Sequence, residues 1–153
     1  MCRDLPCNNQ GMVVRRVSMD DIGGAVAMLA AAGLPISAAV ASARLAVSRV
    51  ADSPLIALVA CDADQVAGGV ALEVLPNLLE QSSVGRVLIM AVHPSHQRLG
   101  VGRLLMDAVE EQAWALGCVR VEIVYGVNRA DAKRFFTSIG YRALNNRLVK
   151  RKD

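Results

Sequence analysis

The stretch from Val84 to Leu116 does most to limit what this chain can fold into. A continuous apolar run, Val87-Leu88-Ile89-Met90-Ala91-Val92, leads through His93-Pro94-Ser95-His96 into Gln97-Arg98-Leu99-Gly100-Val101-Gly102-Arg103 and then into a long segment with helical periodicity. The run reads as a buried strand. The segment reads as a helix from about Gly100 to Leu116, with Val101, Leu104, Leu105, Ala108, Val109 and Leu116 on one face and Gly117 as its stop. A glycine-containing loop thus opens a helix directly after a strand. The first turn of a helix leaves backbone N–H groups unpaired and carries partial positive charge, so this junction is an anion site suited to a pyrophosphate. Gly100 and Gly102 let the backbone approach the phosphates without a Cβ in the way, and Arg98 and Arg103 add cationic donors.

Two common phosphate motifs are excluded. There is no G-x-x-x-x-G-K-[ST], and Leu105 stands where a dinucleotide fingerprint would have its third glycine. The strand before the loop also follows a meander, whereas a dinucleotide-binding unit starts a βαβ series.

The 153 residues suit one domain, placed at 12–153, behind an extension at 1–11 that is expected to be flexible. The chain reads as a strand at 12–17, then two helices. Ser18 and Asp21 form a capping-box-like pair for the first, and Ser37 caps the second. Strands follow near 55–60, 66–75 and 84–92, with Gly68-Gly69 as a bulge or twist point. After the long helix come a strand at 119–125, a helix at 129–138 stopped by Gly140, and a hairpin at 141–150 turned at Asn145-Asn146. The order β-α-α-β-β-β-α-β-α-β-β predicts an α/β (α+β) fold with a mixed, mostly antiparallel central sheet flanked by helices. The three middle strands are joined by short connections and should be antiparallel, and the long helix should link two parallel strands.

Composition narrows the function. Net charge is +3 and scattered, the basic tail Lys150-Arg151-Lys152 is short, and aromatic residues make up 3% of the chain, so no nucleic-acid partner is expected. No apolar run reaches the roughly 18 residues of a membrane span, and residues 1–6 lack the layout of a signal peptide, so no membrane partner and a cytoplasmic location are expected. Cys2, Cys7, Cys61 and Cys118 form no C-x-x-C pair and stand apart from His93 and His96, so no metal is expected.

The segment Gln97-Arg98-Leu99-Gly100-Val101-Gly102 resembles the Q/R-x-x-G-x-G/A motif of the GNAT acetyltransferase family. A second motif of that family, an Asn followed by a helix ending in aromatic-x-x-x-Gly-aromatic, is matched by Asn128 through Phe136 to Gly140-Tyr141. The resemblance covers residues 12 to 150. It implies an acetyl-CoA-dependent N-acetyltransferase that moves acetyl directly to a primary amine of a small molecule or peptide. It also implies that the backbone of Arg98 to Arg103 holds the pyrophosphate of acetyl-CoA. Met90-Ala91-Val92 would pair with the pantetheine arm and supply an N–H to the oxyanion. Asn128 would bond the pantetheine, cap the following helix with Asp131 as partner, or do both.

The sequence departs from the family where protons are moved. Phe136 stands where many members have a Tyr, and Leu88-Ile89-Met90 where many have a carboxylate. Tyr125, Glu73 and Glu122 are the replacement candidates. Each also has a plain structural reading, as a packing Tyr and as solvent-facing or salt-bridged glutamates. A GNAT-fold sensor or binding module that holds acetyl-CoA with little turnover is the alternative function. Between Ile22 and Ala51 there is no carboxylate, which argues against polycationic acceptors. Trp114, opposite the apolar face of the long helix, marks either a homodimer contact or a spot covered by the N-terminal tail or a neighbouring loop.

Overall fold

The structure is a computed structural model of the chain, and it describes residues 11–79, 82–124 and 130–143. Five strands form one sheet: β1 (Val13–Arg16), β2 (Leu55–Asp62), β3 (Gln65–Asn77), β4 (Ser82–Val92) and β5 (Cys118–Ile123), in the spatial order β1-β2-β3-β4-β5. The first three pairings are antiparallel, and β4 pairs with β5 in parallel. The described residues also form four helices: α1 (Ile22–Ala31), α2 (Ala38–Ser48), α3 (Val101–Ala115) and α4 (Ala130–Ser138). The expected mixed, mostly antiparallel sheet is present. The expected hairpin at 141–150 and the expected extension at 1–11 lie largely outside the described residues.

Alternation along β2 assigns the two faces. Ile56, Leu58 and Ala60 join a core with Val101, Leu105, Met106, Ala108 and Val109 of α3 and Phe136 of α4. Val59 and Cys61 point the other way and pack with Met28 of α1, Val66 and Ala91. α2 packs against α1 and β2. The buried stripe of α3 differs from the expected one. Met106 and Ala113 belong to it, Leu104 is only partly buried, and Leu116 follows the last helical turn and is exposed.

The N-terminal corner is held by Asp21. Its carboxylate accepts two hydrogen bonds from Arg15, at 2.7 and 2.8 Å, and two from Ser18, at 2.7 Å from the backbone N–H and 3.0 Å from the hydroxyl. These bonds, that from Arg15 foremost, bring the Asp21 carboxyl down to about 2. The expected Ser18–Asp21 pair exists, but it closes a short 3₁₀ turn at Met19–Asp21 just ahead of α1. At Ser37 the hydroxyl accepts from the Val40 N–H at 3.3 Å and caps α2. Gly33 and Gly117, at φ +78° and +77°, follow the ends of α1 and α3 as the sequence implies.

Candidate functional site

The site begins where β4 and β5 part. Their ladder runs from Ser83–Cys118 to Val87–Ile123 and stops, while β4 continues to Val92. On its other side β4 stays paired with β3 as far as Gly68–Val92. Leu88 coincides with that end. Leu72 pairs with Val87 and Ala71 with Ile89, so Leu88 is an extra residue in β4, a bulge of the kind that bends and twists a strand. Among the described residues, the backbone of Leu88 to Val92 therefore has one free edge. Packing on both faces fixes that edge in place: Met90 and Val92 pack toward α3 and Ala91 toward α1. An unpaired edge inside a sheet can accept a slender chain that carries its own amides.

The loop ahead of α3 continues the same line. Pro94–His96 form one 3₁₀ turn, then Arg98 and Gly100 adopt left-handed conformations at φ +63° and +83°. The first helical bond is Leu104 N–H to the Gly100 carbonyl, at 3.0 Å. The N–H groups of Arg98, Leu99, Gly100, Val101, Gly102 and Arg103 find no acceptor among the described residues. They stand at the positive end of α3, where an anion is stabilised. Val101, fully buried, pins the loop to the core.

The two glycines have different tasks. Space around Gly100 is open, and its positive φ is what calls for glycine. Gly102 is different: a Cβ there would stand 3.2 Å from the ring of Phe135 and 3.8 Å from Met90. Its bare backbone admits α4, a task the sequence reading did not assign to it. Likewise, the register slips at Ala67, next to the expected Gly68-Gly69. Gly68 itself is required because a Cβ would meet the Ala91 carbonyl oxygen at 2.9 Å and Leu105 at 3.0 Å.

A polar chain behind the loop was not foreseen. His96 is buried, and its Nε2 lies 3.4 Å from Asp62 at the end of β2. Its Nδ1 is 2.9 Å from the Ser95 hydroxyl, which is 2.7 Å from His93 Nδ1. The Ser95 N–H also donates to His93. This chain ties the turn to the β2–β3 corner and gives both histidines a structural task. Asp62 is 34 positions away in sequence, so no local pattern announces the contact.

The acid–base candidates divide. Tyr125 and Asn128 lie outside the described residues. Glu73 and Glu122 stand in register on either side of Arg86, on β3 and β5. Glu122 accepts from Arg120 at 2.9 Å and lies 3.9 Å from Arg86, in keeping with the salt-bridged reading. Phe136 is buried against Phe135 and Tyr141 and offers no hydroxyl. Burial, helped by a 2.6 Å bond to Glu110, pushes the Tyr141 hydroxyl far above its ordinary range. Burial likewise pushes up the thiols of Cys61 and Cys118, which makes them poor nucleophiles. No cluster of metal ligands is present among the described residues. A cavity of about 890 Å³ runs along β5, lined by Arg86, Glu122, Trp114 and Phe136 among others. The free N–H groups lie elsewhere, at the loop, and they mark the anion site more directly than the cavity does.

A free strand edge that runs into a row of unbonded N–H groups is matched by sequence. The family model described as "Acetyltransferase (GNAT) family" matches residues 36–141. The chain belongs to the GNAT acetyltransferase family. The match runs from the cap of α2 to Tyr141, and β1 and α1 complete the GNAT fold ahead of it.

Solved structures agree in fold. The chain is similar to a transcriptional regulator from Bacillus halodurans C-125 (23% identity, TM-score 0.78, covering 92% of this chain and 99% of that one). It is similar to a ribosomal-protein-alanine N-acetyltransferase from Brucella melitensis biovar Abortus 2308 (19%, 0.77, 93% and 99%). It is also similar to a glucosamine-6-phosphate N-acetyltransferase from Arabidopsis thaliana (15%, 0.78, 93% and 99%). No curated protein matches the chain in sequence. No helix among the described residues is long and apolar enough to cross a membrane.

Proposed function

We propose that this GNAT domain is an acetyl-CoA-dependent N-acetyltransferase acting on a primary amine of a small molecule or peptide. The observation that carries the reading is the continuity of the free edge at Leu88–Val92 with the unbonded N–H groups of Arg98 to Arg103. An elongated ligand with amides along its length and a pyrophosphate at one end matches that line of donors and acceptors. Acetyl-CoA has this layout and supplies the activated acetyl group.

In this reading the backbone of Met90, Ala91 and Val92 orients the pantetheine arm, and one N–H on that stretch stabilises the oxyanion. Gln97 to Arg103 hold the pyrophosphate, with Arg98 and Arg103 adding charge. Asn128 is the candidate hydrogen-bond partner of the pantetheine. The acceptor nitrogen forms its bond to the acetyl carbon as the C–S bond breaks. Of the two protons that the ammonium loses, one leaves with the thiolate and one goes to water. Tyr125 is the candidate donor to the thiolate, and Glu73 or Glu122 the candidate path to water. Positioning alone contributes about 7–11 kcal/mol in favourable cases, so a weak acid–base set is compatible with turnover.

The test combines two measurements. Acetyl-CoA should raise the melting temperature, and an amine panel should release CoA detectable with a thiol reagent. An unchanged melting temperature would sink the cofactor assignment. If Tyr125→Phe leaves kcat and its pH profile unchanged, the acid role is excluded. Phe136, buried and without a hydroxyl, favours the second reading, a sensor or binding module. Tight acetyl-CoA binding with no turnover on any amine selects it. A homodimer through the exposed Trp114 predicts a mass that rises with concentration.

A further inference from the structure

Arg86 has more hydrogen-bonding capacity than its surroundings use. Its Nε is buried without a partner, and its ion pair with Glu122 is long, at 3.9 Å. A guanidinium carries five donors, and one withdrawn from water unpaired is costly. Neighbouring residues fix where this group lies. A Cβ on Gly85 would meet Ala113 of α3, and Val87 packs into the α3 core. Arg86, between them, therefore projects to the opposite face, the side of α1 and α2. It sits one residue before the last β4–β5 pair and two before the Leu88 bulge, about 7 Å along the strand.

The charges around Arg86 are of both signs. Glu73, directly across on β3, makes no hydrogen bond or ion pair among the described residues. Residues 22–51, which span α1 and α2, contain Arg44 and Arg49 and no Asp or Glu. A guanidinium with donors to spare, beside a carboxylate with no partner among the described residues, suits a ligand that carries both charges close together.

We infer that Arg86 anchors a carboxylate of the acceptor, with Glu73 facing its ammonium, so that the acceptor is a small amino acid-like zwitterion. This rests on the acetyltransferase reading and deepens it. Polyamines and peptide N-termini lack a carboxylate at that spacing and gain nothing from Arg86. Both residues act here in binding and positioning.

The experiment compares L-amino acids with their amides and their decarboxylated amines, using the full chain and the variants Arg86→Gln and Arg86→Lys. The wild type should favour the amino acid by about 10- to 100-fold in kcat/KM, as expected for a charged hydrogen-bonded pair, with the difference in KM. Arg86→Gln should erase that preference, and Arg86→Lys should restore part of it. Melting curves of both variants establish that they fold. Equal use of amides and amino acids by the wild type overturns the inference, as does a preference that survives in Arg86→Gln. Calorimetry of the same ligands with the CoA-saturated protein separates the two levels. If Arg86-dependent amino acid binding occurs without acetylation of any amine, the anchor stands and the transferase reading falls. If amines are acetylated with no carboxylate preference, the reverse holds.

Discussion

The ring of Phe135 fills the space where a side chain on Gly102 would stand, at 3.2 Å from that Cβ position. The contact joins the first turn of α3 to α4, and so joins the two family motifs physically. Alanine is the better helix former by about 1 kcal/mol, yet overpacking costs about 1–3 kcal/mol. Gly102→Ala should therefore lower stability in urea unfolding. Combined with Phe135→Leu it should cost less than the sum of the two single changes, which a double-mutant cycle reads directly.

Gly100 should fail for a different reason. Nothing lies within 4 Å of its Cβ position, but its φ is +83°. Gly100→Ala should cost about 1–2 kcal/mol through the backbone alone. The change should also weaken acetyl-CoA binding, seen as a smaller ligand-induced rise in melting temperature. A Phe135 substitution should give no rescue here.

The Asp21 corner makes stability depend on pH in a defined window. Its carboxyl is lowered from 3.8 to about 2 in the folded protein, so the fold favours the ionised form. The contribution is complete above about pH 4 and fades as pH falls toward 2. Asp21→Asn should cost about 1–2 kcal/mol at neutral pH and flatten the acid limb of the stability curve. An unchanged acid limb in urea titrations from pH 5 to 2 would count against this account.

Tyr141→Phe removes the donor held 2.6 Å from Glu110. The carboxylate loses its partner, so the variant should lose about 1–2 kcal/mol in denaturant unfolding. In the wild type, Tyr141 should stay protonated through an alkaline absorbance titration well past the usual range, because burial and Glu110 both oppose its ionisation.

The order of the described elements could be read from local signals. Ser37, Gly33 and Gly117 mark helix ends, and the apolar runs mark strands. What stayed hidden depends on contacts between distant segments. The Leu88 bulge appears only when β4 is laid against β3, because a sequence of consecutive apolar residues has no register of its own. The Asp62–His96 pair and the use of Gly102 by Phe135 are likewise tertiary. The left-handed turn at Gly100 was legible because it is a local demand of the backbone. The charged row of Glu73, Arg86 and Glu122 was not, since three strands bring it together.

The gap between β4 and β5 also bears on what the protein keeps out. An outer strand edge invites pairing with any other chain, and proteins usually blunt such edges. Here the free backbone continues from the end of the β4–β5 ladder, with α3 and α1 covering β4 on its two faces. With both faces covered, a ligand reaches those amides only edge-on, in the plane of the sheet. Direction of approach is thus restricted before any group is recognised by its chemistry.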